Sequence, residues 1–492
     1  MSADQGTSGS LRAGSIGLVG VVFFVVATVA PMSGSVGALP LAFGLGAGAG
    51  TAGAFVIVAI VLILFAVGYM AMSHHMATAG GFYVYIGEGL GLRAARAAGY
   101  LALLAYNAFQ VAIWGTFGYF FNSMTNEAFG WNVPWLVPVL IGIAIVGILG
   151  YFEINISAKI LGVAVVLEIL VILVLNVAIF AQGGAHGLTL EPFSPHALLR
   201  DDPAVGLMFC FLLFIGFEAT AIYGEEARDP YRTIPRAAII AVLLIAIFYI
   251  FTSWAVAVGW GVDAVRQQAL TDPGNFVFSL GHTYVGGFEV TLMKILFLTS
   301  TFATNQGFHN AIARYQFSLA REGWAPSVLG RTHPRYDSPY IGSYVQTAVA
   351  AVTVLCFWLA GADPYTEMFT WLIALGALGL IVLMATVSVS AIVFFRRYRV
   401  DGRVWVTVIA PALAAIGLAL ETVLLLRNWN LQTGATGGPV SYLPVLLVIP
   451  VAIGLLWPVG GRPPSWLVRD GQGAVTERGG RVATAAQGGS DA

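Results

Sequence analysis

Phe214-Ile215-Gly216-Phe217-Glu218-Ala219-Thr220 interrupts an apolar run that otherwise reads as one membrane span. Glycine at its middle weakens the helix, and an ionisable glutamate follows two residues later. A carboxylate at that depth costs roughly 2.5–3.5 kcal/mol on insertion scales, so a functional role is the default reading; a glutamate satisfied by a neighbouring hydroxyl is the plain alternative. A second interruption, Pro31-Met32-Ser33-Gly34-Ser35-Val36-Gly37-Ala38-Leu39-Pro40, falls late in the first apolar run. Proline and glycine there free backbone N–H and C=O groups. In hydrocarbon each such group costs several kcal/mol unless something polar meets it. A kink or Gly-rich packing seam competes with a binding site for that segment.

Outward from these breaks, apolar stretches near 20 residues recur along the whole chain. Each is long enough to cross the roughly 30 Å hydrocarbon layer as a helix. The 492 residues are 58% hydrophobic and 10% charged, with a mean hydropathy of +0.84. A soluble domain carries about 25% charged residues, so lipid must supply most of the solvent. Twelve spans are expected, at about 14–42, 50–72, 94–121, 133–150, 158–181, 204–225, 235–260, 287–313, 341–361, 367–395, 403–427 and 440–458. The broken spans are then the first and the sixth, five apart. Paired breaks at matching positions of two halves point to an inverted-repeat transporter with its site at the midplane. Half-helix N-termini offer N–H groups to a carboxylate and exposed carbonyls suit an ammonium. One such site would hold a zwitterion.

Lys and Arg in the flanks give the orientation. Nineteen of them, including Arg93, Arg228, Arg236, Arg321, Arg397 and Arg403, fall on one set of faces; Arg200, Arg266 and Arg427 fall on the other. Both termini are expected in the cytoplasm. Lys294 lies inside span 8, its stem expected to snorkel toward the outer face. Residues 1–13 form a polar N-terminal tail, 14–458 a membrane domain, and 459–492 a polar, Gly-rich tail expected to be disordered. Core repeats occupy about 14–181 and 204–395. Arginine-for-lysine and alanine usage suits a GC-rich bacterial genome, hence a bacterial inner membrane. Cys210 and Cys356 both sit in apolar segments and suggest no disulfide framework. No basic run suggests a nucleic acid partner.

The chain resembles the amino acid–polyamine–organocation (APC) permeases. The resemblance is carried by the 214–218 break followed by Gly224-Glu225-Glu226-Ala227-Arg228-Asp229-Pro230-Tyr231-Arg232-Thr233-Ile234-Pro235-Arg236-Ala237. Asn310 to Arg314, continuing through Leu319-Ala320-Arg321-Glu322-Gly323-Trp324-Ala325-Pro326, is similar to the family's segment after span 8. Ala79-Gly80-Gly81-Phe82-Tyr83-Val84-Tyr85 is similar to its motif between spans 2 and 3. Local physics also accounts for part of the 226–237 loop, with Thr233 capping span 7 and Pro235 in its first turn.

The resemblance implies an all-α multi-pass membrane protein with the APC fold: two inverted five-helix repeats with broken helices 1 and 6, then two extra helices. It implies a substrate carboxylate on backbone N–H groups near Ser33, Gly34, Ser35, Val36 and Gly37. The amine would meet carbonyls near Phe214, Ile215 and Phe217, beside Gly216. Glu218 matches an acidic position that gates or couples protons in some members, and Tyr106 a gating tyrosine. Glu168 stands where some proton-coupled members carry a lysine, so the lysine mechanism does not transfer. Glu168 and Glu218 are buried carboxyls in a chain that keeps charge almost entirely out of its spans. Proton exchange is the simplest role for both, since burial disfavours a carboxyl's charged form. Tyr106, Gln110, Trp114, Phe217, Asn305 and Trp371 are candidate side-chain contacts.

The expected activity is secondary active transport of amino acids by alternating access, with the proton as coupling ion. An amine or polyamine importer, an exchanger and, from another class, a channel stay open, although no filter-like repeat is present. An enzyme is not expected. His-Glu-x-x-His is absent, His74-His75 has no carboxylate close to it in the sequence, and Gly34-Ser35-Val36-Gly37 has no His/Asp partner at depth. No metal or cofactor is expected.

Overall fold

The computed structural model describes residues 17–73, 75, 81–152, 158–218, 220, 227–336, 338–435 and 437–456. Both expected tails, His74, Ala79-Gly80 and the 221–226 part of the loop motif lie outside them.

Among the described residues, eight helical stretches are long and apolar enough to cross a bilayer. One of them, Pro31–Ser73, has 43 residues. At 1.5 Å per residue it would be about twice as long as a bilayer is thick, so the chain must turn within it. It does so at Gly46 (φ −104°, ψ −130°) and Gly48 (φ 52°). No side chain fits there, because a Cβ on Gly46 would press on the backbone of Gly206 at 2.6 Å. The stretch is therefore the second part of span 1 followed by span 2, Thr51–Ser73.

Span 1 begins as Leu18–Val29 and breaks at Ala30, which is left-handed (φ 50°, ψ 76°). Pro31 accounts for the position, since proline drives the preceding residue out of the right-handed helical region. Helix resumes at Pro31–Ser33 and widens into a π-helical turn at Gly34–Ala38. Such wide turns occur often at functional sites. The break thus starts one residue before the Pro/Gly-rich segment.

Span 3 is Leu92–Phe129, span 4 Leu136–Tyr151 and span 5 Ala158–Ala181. Span 6 runs as helix over Pro203–Leu212, then unwinds through 213–216, where Gly216 takes φ 118°. Span 7 is Pro230–Trp260. It starts five residues before Pro235, with Asp229 at its head and Pro230 at its first position. Thr233 therefore lies inside the helix rather than capping it. Pro230 supplies the start because its missing N–H needs no partner there.

Span 8 is Gly287–Arg321, span 9 Tyr340–Leu359, span 10 Thr370–Tyr398 after the wide turn Pro364–Phe369, span 11 Ala410–Arg427 and span 12 Val445–Leu456. Spans 11 and 12 sit outside the rest, span 11 against spans 2 and 10, span 12 against span 3. Lys294 forms an ion pair with Glu127 at the far end of span 3 and lies 5.5 Å from the Phe278 ring centre.

Candidate functional site

The two breaks face one cavity. Span 1 lines it with Val29, Ala30, Ser33, Gly34 and Gly37, and span 6 with Leu213 and Ile215. Opposite stand Phe109, Ile113 and Thr116 of span 3, Thr304 and Phe308 of span 8, and Phe369 and Ile373 of span 10. The centre of a water molecule can occupy about 50 Å³ of it, room for a few waters at roughly 10–15 Å³ each.

Helix order places an aromatic layer on each side of this cavity. Toward the arginine-rich end, Tyr106 and Tyr315 lie one to two turns beyond Phe109 and Phe308. Their rings approach to 5.9 Å, and Tyr83 meets Tyr315 at 5.7 Å. Toward the opposite end, Phe120 packs on Phe297 at 4.4 Å and on Tyr365 at 5.6 Å. Each aromatic pair adds about 0.5–1.5 kcal/mol beyond its burial, enough for a closure that can still be opened.

The freed backbone is met by side chains from several helices. The Tyr365 hydroxyl donates to the Gly37 carbonyl (2.9 Å). Glu168 accepts from the Ser300 hydroxyl (2.8 Å) and, more weakly, from the Met32 amide (3.4 Å), which sets a carboxylate at the start of the resumed half of span 1. That is where a helix dipole favours an anion. In span 6, Glu218 folds back to accept from the Gly216 amide (2.8 Å) and also accepts from the Tyr106 hydroxyl (3.1 Å). One carboxylate therefore joins the span 6 break to span 3.

Of the residues marked in the sequence, Ser33, Gly34, Gly37 and Ile215 line the cavity. Ser35 and Val36 are buried in the same turn without lining it. Phe214 packs on Phe55 and Phe217 on Phe65. The Phe214 carbonyl already accepts from the Phe217 amide (3.3 Å), and the Phe217 carbonyl from the Thr220 hydroxyl (2.9 Å). Tyr106 lies on Glu218, one turn from the cavity wall. Trp114 packs on Phe117 and Phe302, and the Trp371 indole donates to the Thr433 carbonyl.

Gln110 and Asn305 belong to a polar seam among spans 3, 8 and 9. Gln110 Nε2 donates to the Asn305 carbonyl (3.2 Å). Gln346 Nε2 donates to Gln110 Oε1 (2.5 Å) and Asn107 Oδ1 (2.9 Å). Phe109, Ile113, Thr116, Thr304 and Ile373, which do line the cavity, were not singled out in the sequence. They are ordinary apolar or hydroxyl residues, and their only signal is a place one or two positions from the polar residues that were. Among the described residues no group of three or more His, Cys, Asp or Glu could hold a metal.

The fold resembles a manganese transporter of Eremococcus coleocola, with a TM-score of 0.53 at 13% identity over 89% of this chain and 94% of that one. A branched-chain amino acid permease of Bacillus subtilis is 26% identical over 53% of this chain and 52% of its own length. A general amino-acid permease of Candida albicans is 24% identical over 68% and 58%, and Asc-type amino acid transporter 1 of Homo sapiens 29% over 39% and 36%. The chain thus spans about half the length of the curated relatives it matches. The family model described as amino acid permease matches residues 16–451. With its inverted-repeat helical core and this match over most of its length, the chain belongs to the amino acid permease family.

Proposed function

We propose that this membrane-embedded protein is a secondary transporter that carries amino acids across a bacterial inner membrane by alternating access, with both termini in the cytoplasm. The observation that carries the reading is a small cavity walled by both helix breaks, with a layer of packed aromatic rings toward each end of the bundle. Backbone at Ser33 and Gly37 suits a carboxylate and the carbonyl of Ile215 an ammonium, whereas the Gly34 amide already donates to the Ala30 carbonyl (2.9 Å). A central site with a layer of rings toward each end is what a carrier needs and a continuous pore lacks.

Glu218 is proposed as a coupling group. Ionised, it holds the Gly216 amide and the Tyr106 hydroxyl together. Protonated, it loses its charge and part of its accepting capacity, which loosens span 6 from span 3. Glu168 has a similar place between span 5, span 8 and the resumed half of span 1.

Proteoliposomes loaded with unlabelled alanine and supplied with radiolabelled alanine outside test the carrier reading. Saturable uptake that overshoots equilibrium by counterflow is expected. Linear, non-saturating flux without overshoot would point to a channel.

A further inference from the structure

The wall facing the helix breaks carries no ionisable side chain. Phe109, Ile113, Phe308, Phe369 and Ile373 supply its apolar surface, and the hydroxyls of Thr116 and Thr304 already donate to the backbone carbonyls of Ile113 (2.8 Å) and Ser300 (2.8 Å). A charged group brought against such a wall loses its hydration without a partner, at a large cost. The position of one wall ring is itself fixed by a glycine. A Cβ on Gly376 of span 10 would overlap Phe109 Cδ2, and would lie 2.7 Å from Cε2 and 3.0 Å from the Ala105 carbonyl oxygen. A Cβ on Gly379, one turn on, would stand 2.9 Å from Ala105 Cβ. Spans 3 and 10 are therefore in backbone-close contact here. The Phe109 ring lies on the bare face of Gly376 and stacks on Phe308 at 5.7 Å with 17° between planes. With Phe308 on one side and span 10 on the other, the ring's free direction is the cavity.

Resting on the transport reading above, we propose that this wall is the side-chain subsite, that it takes a neutral, apolar side chain, and that Gly376, acting through Phe109, sets the largest side chain admitted. Gly376 is a positioning residue, since it does not itself line the cavity. The small free volume gives the same direction of selectivity, favouring compact side chains over aromatic ones.

The test is uptake of radiolabelled alanine, valine, leucine, phenylalanine, lysine and glutamate, each separately, into proteoliposomes holding the full chain. Alanine, valine and leucine are expected to enter. Lysine and glutamate should fall about 10- to 100-fold below them in kcat/KM, the range in which a pocket distinguishes side chains. Gly376→Ala should lose leucine by at least about tenfold while alanine changes little. Phe109→Leu in that background should restore leucine. Lysine or glutamate uptake equal to that of leucine would overturn the subsite's chemistry. An equal fall for alanine and leucine in Gly376→Ala, with no rescue by Phe109→Leu, would overturn the size limit. Transport of none of the six by protein that gives a monodisperse, cooperatively melting sample would overturn the carrier reading and this one with it.

Discussion

Two single residues carry much of the site. Gly34 has no room for a side chain, because a Cβ there would overlap the Tyr249 hydroxyl, with Tyr249 Cζ 3.1 Å away. Tyr249 is fully buried on span 7, stacked on Phe55 at 5.4 Å, and its hydroxyl has no hydrogen-bond partner among the described residues. Gly34→Ala should therefore push the resumed half of span 1 into the cavity and cut alanine uptake at least about tenfold, an effect near 1.4 kcal/mol. Tyr249→Phe removes the colliding atom without breaking a bond made to protein, so the double variant should recover uptake. Failure of that rescue would show that Gly34 matters for some reason other than this contact. Glu218 makes a second prediction. If its protonation drives the span 6 break, parent uptake rises as external pH falls and needs no sodium. Glu218→Gln keeps an acceptor for the Gly216 amide but cannot change charge, so its pH profile should be flat while substrate binding persists. An unchanged profile in that variant would remove Glu218 from coupling.

At the scale of helices, the amide side chains of Asn107, Gln110, Gln316 and Gln346 on spans 3, 8 and 9 bond to one another between helices and lie outside the cavity lining. Gln346 is the hub, donating to Asn107 and Gln110 and facing Gln316 Nε2 at 3.4 Å. Gln346→Leu strands these buried amides at about 1–3 kcal/mol each. Its thermal midpoint in detergent should drop by several degrees, with KM for alanine unchanged; a large KM change with full stability would place the seam in the site after all. This seam also shows what the sequence could not convey. Span 3 is apolar nearly all round, so its periodicity cannot say which face looks inward. Gln110 and Asn305 were therefore expected as cavity contacts from the spans they sit on, whereas neither is in the cavity lining. The existence of the long apolar helices was legible, because length and apolarity set it, but their limits were not, since span 3 runs on to Phe129 and span 8 to Arg321, past the expected 121 and 313. The breaks were legible through Pro31, Gly34 and Gly216, whose backbone consequences are local. The layers of rings on either side of the cavity, and the ring that Gly376 accommodates, depend on contacts between spans 3, 8 and 10, which no local pattern records.

For the whole molecule, the open quantity is its direction in the membrane. Helix order puts Arg93, Arg228, Arg321, Arg397 and Arg403 at one end of the bundle. The three arginines of the opposite end are few, and two of them are paired locally. Arg200 bonds Asp263 at 3.1 Å, and Arg266 bonds Asp201 at 2.8 Å while its Nε reaches the Gly44 carbonyl at 3.2 Å. Arg266 thereby ties the helix Val265–Thr271 to the end of span 1 and the start of span 6, so its charge serves a contact as well as topology. Because orientation follows the count of Lys and Arg in short flanking loops, with Asp and Glu contributing little, the arginine-rich end should face the cytoplasm. The test starts from a chain with Cys210 and Cys356 replaced by serine, the first being buried and the second exposed. Arg228 and Gln267 are both exposed and lie at opposite ends. Cysteine at 267, next to Arg266 but outside its ion pairs, should react with a membrane-impermeant maleimide in intact cells. Cysteine at 228 should react only after the membrane is opened. The reverse pattern would invert the molecule and move the Glu218–Tyr106 closure to the outer side. The pH dependence of uptake would then have to be sought in cytoplasmic rather than external pH, so the labelling result fixes how the Glu218→Gln profile is to be interpreted.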